Sequence, residues 1–450
     1  MKSKLTILLL ILFASTFIIV AQSFDTDRIP IGDPEKKYDF CSVKLDKIVN
    51  TTTLKSMSEE DLYKSLGAYR IVMVGETHTN QAHHDVQFDI IKGLTESGKK
   101  VILALEMYNP AQDSVLAAWS SGTTDASTFM EQTDFLTTWS HNYRYYEAIF
   151  NYVREKNITM YGVNTPRKYA SKIGRGGLDA LTEEDLKVLP AIDTSTVEHK
   201  FFFKVAMQGM DATMPTQFRN IYPAQCLWDA AMGEGAIKAA KENPDAVIVV
   251  LAGSGHVIYN LGIGRTIKDR SDLSFVSVVT VDVPEENKET TMMKIRKDAK
   301  KEKKEGEGMG MPKMPKSDMK EGAKEKPSHM AHMPMDTTPN KVVIRSLADY
   351  IWGKKETEHE KYPSFGFSIK DNDGKGYPIK RVMPETIAYE NGLKKGDIIL
   401  SIDEKEFENT FQLKKHLQYK NWDEEMTFVV VREDEEMEIK FIIKPIEEKE

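Results

Sequence analysis

Five short apolar runs decide what most of this chain can become: Ile71–Val74, Val101–Leu105, Ile158–Val163, Ala246–Ala252 and Phe275–Val283. They are rich in Val and Ile and read as strands buried on both faces. Between them lie stretches with helical spacing, at 80–97, 110–120, 143–156, 182–189 and 222–242. Buried strands alternating with helices predict an α/β fold, a mainly parallel sheet flanked by helices, over residues 40–283. Ligands meet such sheets outside the carboxyl ends of the strands, so the residues that end each run are candidate site residues.

Those ends are polar in a consistent way. The first run continues as "VGETHTNQAHHD", placing Glu76 and His78 just past the apolar residues. The second ends in Glu106 and Tyr108, and the fourth in Gly253, Gly255 and His256. Ionised carboxylates are rarely buried without partners, so two of them after apolar runs call for imidazoles or a cation beside them. Glu76, His78, Glu106 and His256 therefore form a candidate set for a divalent metal with an open position, or for acid–base catalysis. Each has a plainer alternative. Glu76 suits the start of a helix near Asn80, the glycines suit tight turns, and a single strand-end His suits a structural hydrogen bond. Asn164 and Arg167 follow the third strand and reach the same edge, where Arg167, like Arg265, could pair with an anionic ligand or simply face solvent. Of His83 and His84 on the following helix, one could face the site while the other meets solvent. Gln225 and Trp228 share a helix face with Asp229 close by, and Trp228 is expected in the core.

The rest of the chain is of different material. At 450 residues it is too long for one ordinary domain. Its net charge of −8 argues against nucleic acid as a partner, because phosphate binding needs clustered cations. Residues 1–21, with Lys2 and Lys4 before "LTILLLILFASTFIIVA", read as a secretory signal peptide, the alternative being a retained membrane anchor. No later segment is apolar enough to span a bilayer, so a secreted protein of a bacterial periplasm or cell envelope is expected. The two cysteines, Cys41 and Cys226, leave a disulfide open. Residues 284–340 are dense in Lys, Glu, Gly and Pro and read as a low-complexity linker. Its "HMAHMPM" offers thioethers and imidazoles that could take Cu(I), or serve only as tether.

Two resemblances sharpen this reading. The stretch "YPSFGFSI" with "IKRVMPETIAYENGLKKGDIILSIDEKEFENTFQLKKHL" and "MTFVVVREDEEMEIKFII" resembles a PDZ domain over residues 342–445. That resemblance implies that an extended peptide or a protein's C-terminal tail adds to the strand Phe365–Ile369, opposite a helix near 410–418. Backbone N–H groups of Phe365, Gly366 and Phe367 would hold its carboxylate, with Ser368 and Ile369 continuing the groove. The blocks "VGETHTNQAHHDVQFDIIKGL", "VILALEMYNPAQDSVLAAW", "YGVNTPRKYASKIGRGGL", "AQCLWDAAMGEGAI" and "VIVVLAGSGHVIYNLGIGRTI" look like those of the ChaN-type haem-binding uptake family, in order over about 65–283. That family is kin to the Tiki proteases and erythromycin-esterase-like hydrolases. The resemblance implies haem or iron handling with a tyrosine as axial ligand, for which Tyr108, Tyr143, Tyr145 and Tyr146 are candidates. The hydrolase kin imply instead that Glu76, His78, Glu106 and His256 hold a metal or act in acid–base chemistry. A haem pocket predicts a large apolar cleft with a reachable Tyr, and a hydrolase predicts the four groups converging on a small wet site. A non-catalytic scaffold predicts carboxylates paired to arginines.

Overall fold

The computed structural model describes residues 26–208, 210–285, 338–357, 359–372 and 374–446. The signal segment and the Met-rich stretch, with its copper alternative, lie outside the described residues. The strands, in chain order, are β1 (Phe40–Lys44), β2 (Ile48–Asn50), β3 (Lys55–Met57), β4 (Ile71–Glu76), β5 (Lys100–Leu105), β6 (Thr159–Gly162), β7 (Ala246–Gly253) and β8 (Phe275–Val283). Beyond the undescribed stretch follow β9 (Asn340–Ile344) and β10 (Tyr350–Lys355).

One eight-stranded sheet runs in the order β3-β2-β10-β8-β4-β7-β5-β6. From β10 to β6 every neighbour is parallel, and β2 and β3 add an antiparallel edge. Alternate side chains of each central strand enter opposite cores. Val72 and Val74 of β4, with Val249 and Leu251 of β7, face one layer, and Ile71, Met73, Ile248 and Val250 face the other. This is why those runs carry no polar alternation: neither face meets water. The helix Gln81–Glu96, capped by the Asn80 side chain on Ala82 N–H at 3.0 Å, lays Val86, Ile90 and Leu94 on the first face. The helix Pro215–Glu242 covers the second, and it begins earlier than the expected 222 because it continues through Pro223.

The domain boundary differs from expectation. Residues 342–355 belong to the α/β domain rather than to the PDZ domain: β9 pairs with β1, and β10 lies between β8 and β2. Tyr350, Ile351 and Trp352 are buried in the two cores, which no PDZ sheet could offer them. The small domain therefore starts after Lys355. It is an antiparallel sheet of β11 (Phe367–Ile369), β12 (Tyr377–Val382), β13 (Ile398–Ile402), β14 (Glu425–Arg432) and β15 (Glu435–Ile442) in that order, with the helix Thr410–Gln418 packed on it through Leu413. The expected strand Phe365–Ile369 is shorter, because Phe365 and Gly366 form the loop before it and Gly366 takes φ +73°.

Candidate functional site

The parallel register brings three strand ends together. Glu76 on β4 lies beside Gly253 on β7, and Glu106, one residue past β5, donates its N–H to Leu251 O at 3.1 Å. Strand β7 thus sits between the two carboxylates. Its Gly253 is there for space: φ is −56°, which any residue adopts, but a Cβ would lie 2.9 Å from the His78 ring and 3.7 Å from Glu106 Oε2. Four expected residues, Glu76, His78, Glu106 and His256, therefore surround one glycine.

They are arranged as two carboxylate–imidazole pairs. His78 Nδ1 is 2.6 Å from Glu76 Oε1, and His256 Nε2 is 3.3 Å from Glu106 Oε1. Glu106 Oε2 also accepts the Gly253 N–H at 2.6 Å. On its other side His256 Nδ1 is 2.6 Å from Asp229 Oδ1, with the Gln225 amide 3.0 Å from the same nitrogen. Asp229 Oδ2 in turn lies 3.2 Å from His199 Nε2, without an aligned hydrogen bond. Burial opposes a charge on His256, but the carboxylates of Glu106 and Asp229 outweigh it and push its ionisation up to about 10. Burial likewise opposes the charges of Glu106 and Asp229, and His256 reverses it, holding both below the usual carboxylate range. His78 is raised as well: burial lowers it, and the bond to Glu76 more than compensates. Glu76 is 3% exposed, and its Oε2 has no hydrogen-bond partner among the described residues. The His78 side chain, 30% exposed, is the part of the site that meets solvent.

Among the described residues no group of three or more His, Cys, Asp or Glu is disposed to hold a metal ion. Glu76, His78, Glu106 and His256 face one another in pairs, with Glu106 and His256 held from behind by Gly253 and Asp229.

The candidate tyrosines are all buried beneath the strand ends. Tyr108 is buried among Phe129, Phe135 and Phe150, and its hydroxyl has no hydrogen-bond partner among the described residues. The Tyr146 hydroxyl donates to Glu76 at 3.3 Å and accepts from Trp139 Nε1 at 3.0 Å. Burial raises the ionisation of both phenols. Tyr143 is also buried, its hydroxyl unpartnered among the described residues, and the Tyr145 hydroxyl accepts the Tyr362 N–H. His78 packs on Trp139 and His141 at 4.8 and 4.5 Å between ring centres, and both imidazoles are incompletely buried.

The other candidates separate. Asn164 donates to Glu106 O at 3.1 Å and so braces the edge. Arg167 is exposed and reaches Thr138 O at 3.2 Å. Arg265 points elsewhere, pairing with Asp193 and donating to Thr196 Oγ1 at 2.9 Å. His84 packs against Tyr146 with Nε2 3.8 Å from Glu76 Oε2, whereas His83 is not in solvent but buried against Asp282 at 3.2 Å. Cys41 and Cys226 are both buried and unpaired. Asp229 was visible only as a neighbour of Gln225 on the helix, and its four-residue spacing from Gln225 was the available signal. His141, His199 and Trp139 carried none.

In the small domain, Phe367, Ser368 and Ile369 form β11, the edge strand of their sheet, so one side is open to an added strand. Among the described residues, the N–H groups of Phe365 and Gly366 donate to no protein acceptor. Among the described residues, no helix is long and apolar enough to cross a membrane.

The fold and these sites define a two-part protein: an α/β domain with paired acids and imidazoles at its strand ends, and a peptide-groove module. Residues 62–267 match the family model described as haem-binding uptake, Tiki superfamily, ChaN, and residues 356–431 match the PDZ domain. The chain joins a ChaN-like domain to a PDZ domain. Among solved structures it is similar to ChaN of Campylobacter jejuni, described for cofacial heme binding, at 21% identity over 52% of this chain and 90% of that one, TM-score 0.44. It is also similar to an erythromycin esterase mutant in its open conformation, at 15% identity over 55% of this chain and 78% of that one, TM-score 0.34. An HtrA-type protease, AlgW, with a decapeptide matches at 18% identity over 19% of this chain and 29% of that one, TM-score 0.18. No curated protein matches the chain significantly.

Proposed function

We propose that the strand-end site is an acid–base centre that hydrolyses a carbonyl-type substrate, and that the PDZ domain holds a peptide tail that brings the protein to its target. The observation that carries this reading is the meeting of two carboxylate–imidazole pairs around Gly253. Glu76 fixes His78 through Nδ1, which leaves Nε2 to take a proton from water as its oxygen adds to the carbonyl carbon, and to give that proton to the leaving group as its bond to carbon breaks, while Glu76 steadies the imidazolium. Glu106, held ionised by His256 and the Gly253 N–H, presents its charge to the same space. The unpartnered Glu76 Oε2 offers a further acceptor for a water or substrate proton. The test is a panel of esters, amides and lactones offered to the full chain. His78→Ala and Glu76→Gln are expected to lower turnover by about 10²–10⁴-fold. Activity should rise with pH through a value above the free imidazole's 6.5, since His78 must lose its proton to act. A panel left untouched at every pH sinks this reading.

The match of residues 62–267 to a haem-binding family favours a second reading, in which the domain binds haem. His78 or His141 would then supply the ring nitrogen, and the exposed Arg167 could meet a propionate. Bound haem would bring its iron either as cargo or as a redox centre. A hemin titration is expected to give a saturable Soret shift that His78→Ala or His141→Ala abolishes and Tyr108→Phe and Tyr146→Phe leave intact. We further infer export to a periplasm or envelope, supported by the apolar segment at residues 1–21.

A further inference from the structure

The peptide groove of the small domain is closed at one end by the large one. Tyr362, just ahead of the Phe365–Phe367 loop, donates its N–H to the Tyr145 hydroxyl at 3.4 Å and carries the Arg144 guanidinium 4.0 Å over its ring. Gln418, the last residue of the groove helix, accepts from Asn142 Nδ2 at 2.9 Å and from Tyr143 N–H at 2.8 Å. Both walls are thus fastened to residues 142–145 at the loop end. Earlier in the same helix Lys414 and Lys415 also reach the large domain, at Thr137 Oγ1 (3.0 Å) and Ser127 Oγ (2.8 Å), while Thr410 at its start bonds within the small domain to Asp371 at 2.7 Å. The cavity at the closed end, about 490 Å³, is lined by Phe365, Gly366 and Leu417 from one domain and by Leu136 and His141 from the other.

His141 links this cavity to the strand ends, because its ring lies 4.5 Å from that of His78, which Glu76 holds. The loop end is where the free N–H groups of Phe365 and Gly366 would receive a terminal carboxylate, and Lys414 on the cavity wall adds a cation. An extended chain entering along the edge strand β11 must therefore place its last residue against the large domain.

We propose that the peptide pocket is a two-domain site, in which His141 contacts the last residue of a C-terminal tail held by the Phe365–Phe367 loop and passes its arrival to His78. This rests on the peptide-binding reading of the PDZ domain and is independent of the chemistry at the strand ends. To test it, random-sequence peptides with a free carboxylate are enriched on the full chain, and the strongest binder is labelled at its N-terminus. Its Kd is then measured by fluorescence anisotropy against the unaltered protein, His141→Ala and His141→Asn, with near-ultraviolet circular dichroism as the check on folding. The expected result is a loss of about tenfold or more in both variants, weaker binding of the amidated peptide, and movement of the His78 ring resonances in the unaltered protein on saturation. Affinity within about twofold of the unaltered protein in a folded variant, or His78 resonances that stay still, overturns the proposal. If no peptide is enriched, the peptide-binding reading falls as well; binding that ignores His141 removes only the two-domain site.

Discussion

Asp229 is where the charge balance of the site turns. It is 0% exposed and sits between His256 and His199. Asp229→Ala leaves His256 with one carboxylate and His199 with none, and breaking such a buried pair costs about 3–5 kcal/mol, to be read from urea unfolding. The dependence on pH has a definite sign. His256 ionises at about 10 in the fold against 6.5 when free, so its pairing stabilises fully below about 6.5 and is lost as pH rises through 10. Glu106 and Asp229 are depressed from 4.5 and 3.8, so their contribution is complete above those values and fails in acid as they protonate. Melting temperature plotted against pH should therefore be highest between about 4.5 and 6.5. Asp229→Ala should flatten its alkaline limb.

At the scale of elements, the site depends on three strand ends and the turn that follows each. Gly253→Ala tests that arrangement directly: the backbone of β7 accepts alanine, but the new Cβ meets the His78 ring at 2.9 Å. A folded protein with cooperative melting but a displaced His78 ring resonance and altered pH response is expected. An unchanged His78 signal would show that the ring has room the geometry denies it. Asn80 caps the helix that carries His84 toward Glu76 and also bonds Asp282 at 2.8 Å. Asn80→Ala should cost about 1 kcal/mol in urea unfolding. The strands β4, β5, β7 and β8 were legible because double-sided burial leaves an unbroken apolar run. Strands β2, β9 and β10 were not, because they are short, lie near an edge or far along the chain, and carry no such pattern of their own.

At the scale of the whole molecule, the large domain is completed by chain that follows the undescribed stretch. A protein ending at Val283 lacks β9 and β10 and leaves the surfaces under Ile351 and Trp352 open. It should fail to melt cooperatively in calorimetry, whereas one ending at Lys355 should fold, since burying each such side chain is worth about 1.5–3 kcal/mol. Cooperative melting of the shorter protein would show that β10 is an accessory rather than part of the core. Sequence alone determined the alternation of buried strands and helices, the two domain types, and the four ionisable residues at the strand ends, because burial and local spacing are written in residue order. Tertiary structure alone decided that β7 lies between β4 and β5, that β10 returns to the sheet, and that Asp229, His199 and His141 join the site. Those outcomes depend on strand order and helix phase, through contacts between residues tens to hundreds of positions apart, which no local pattern encodes.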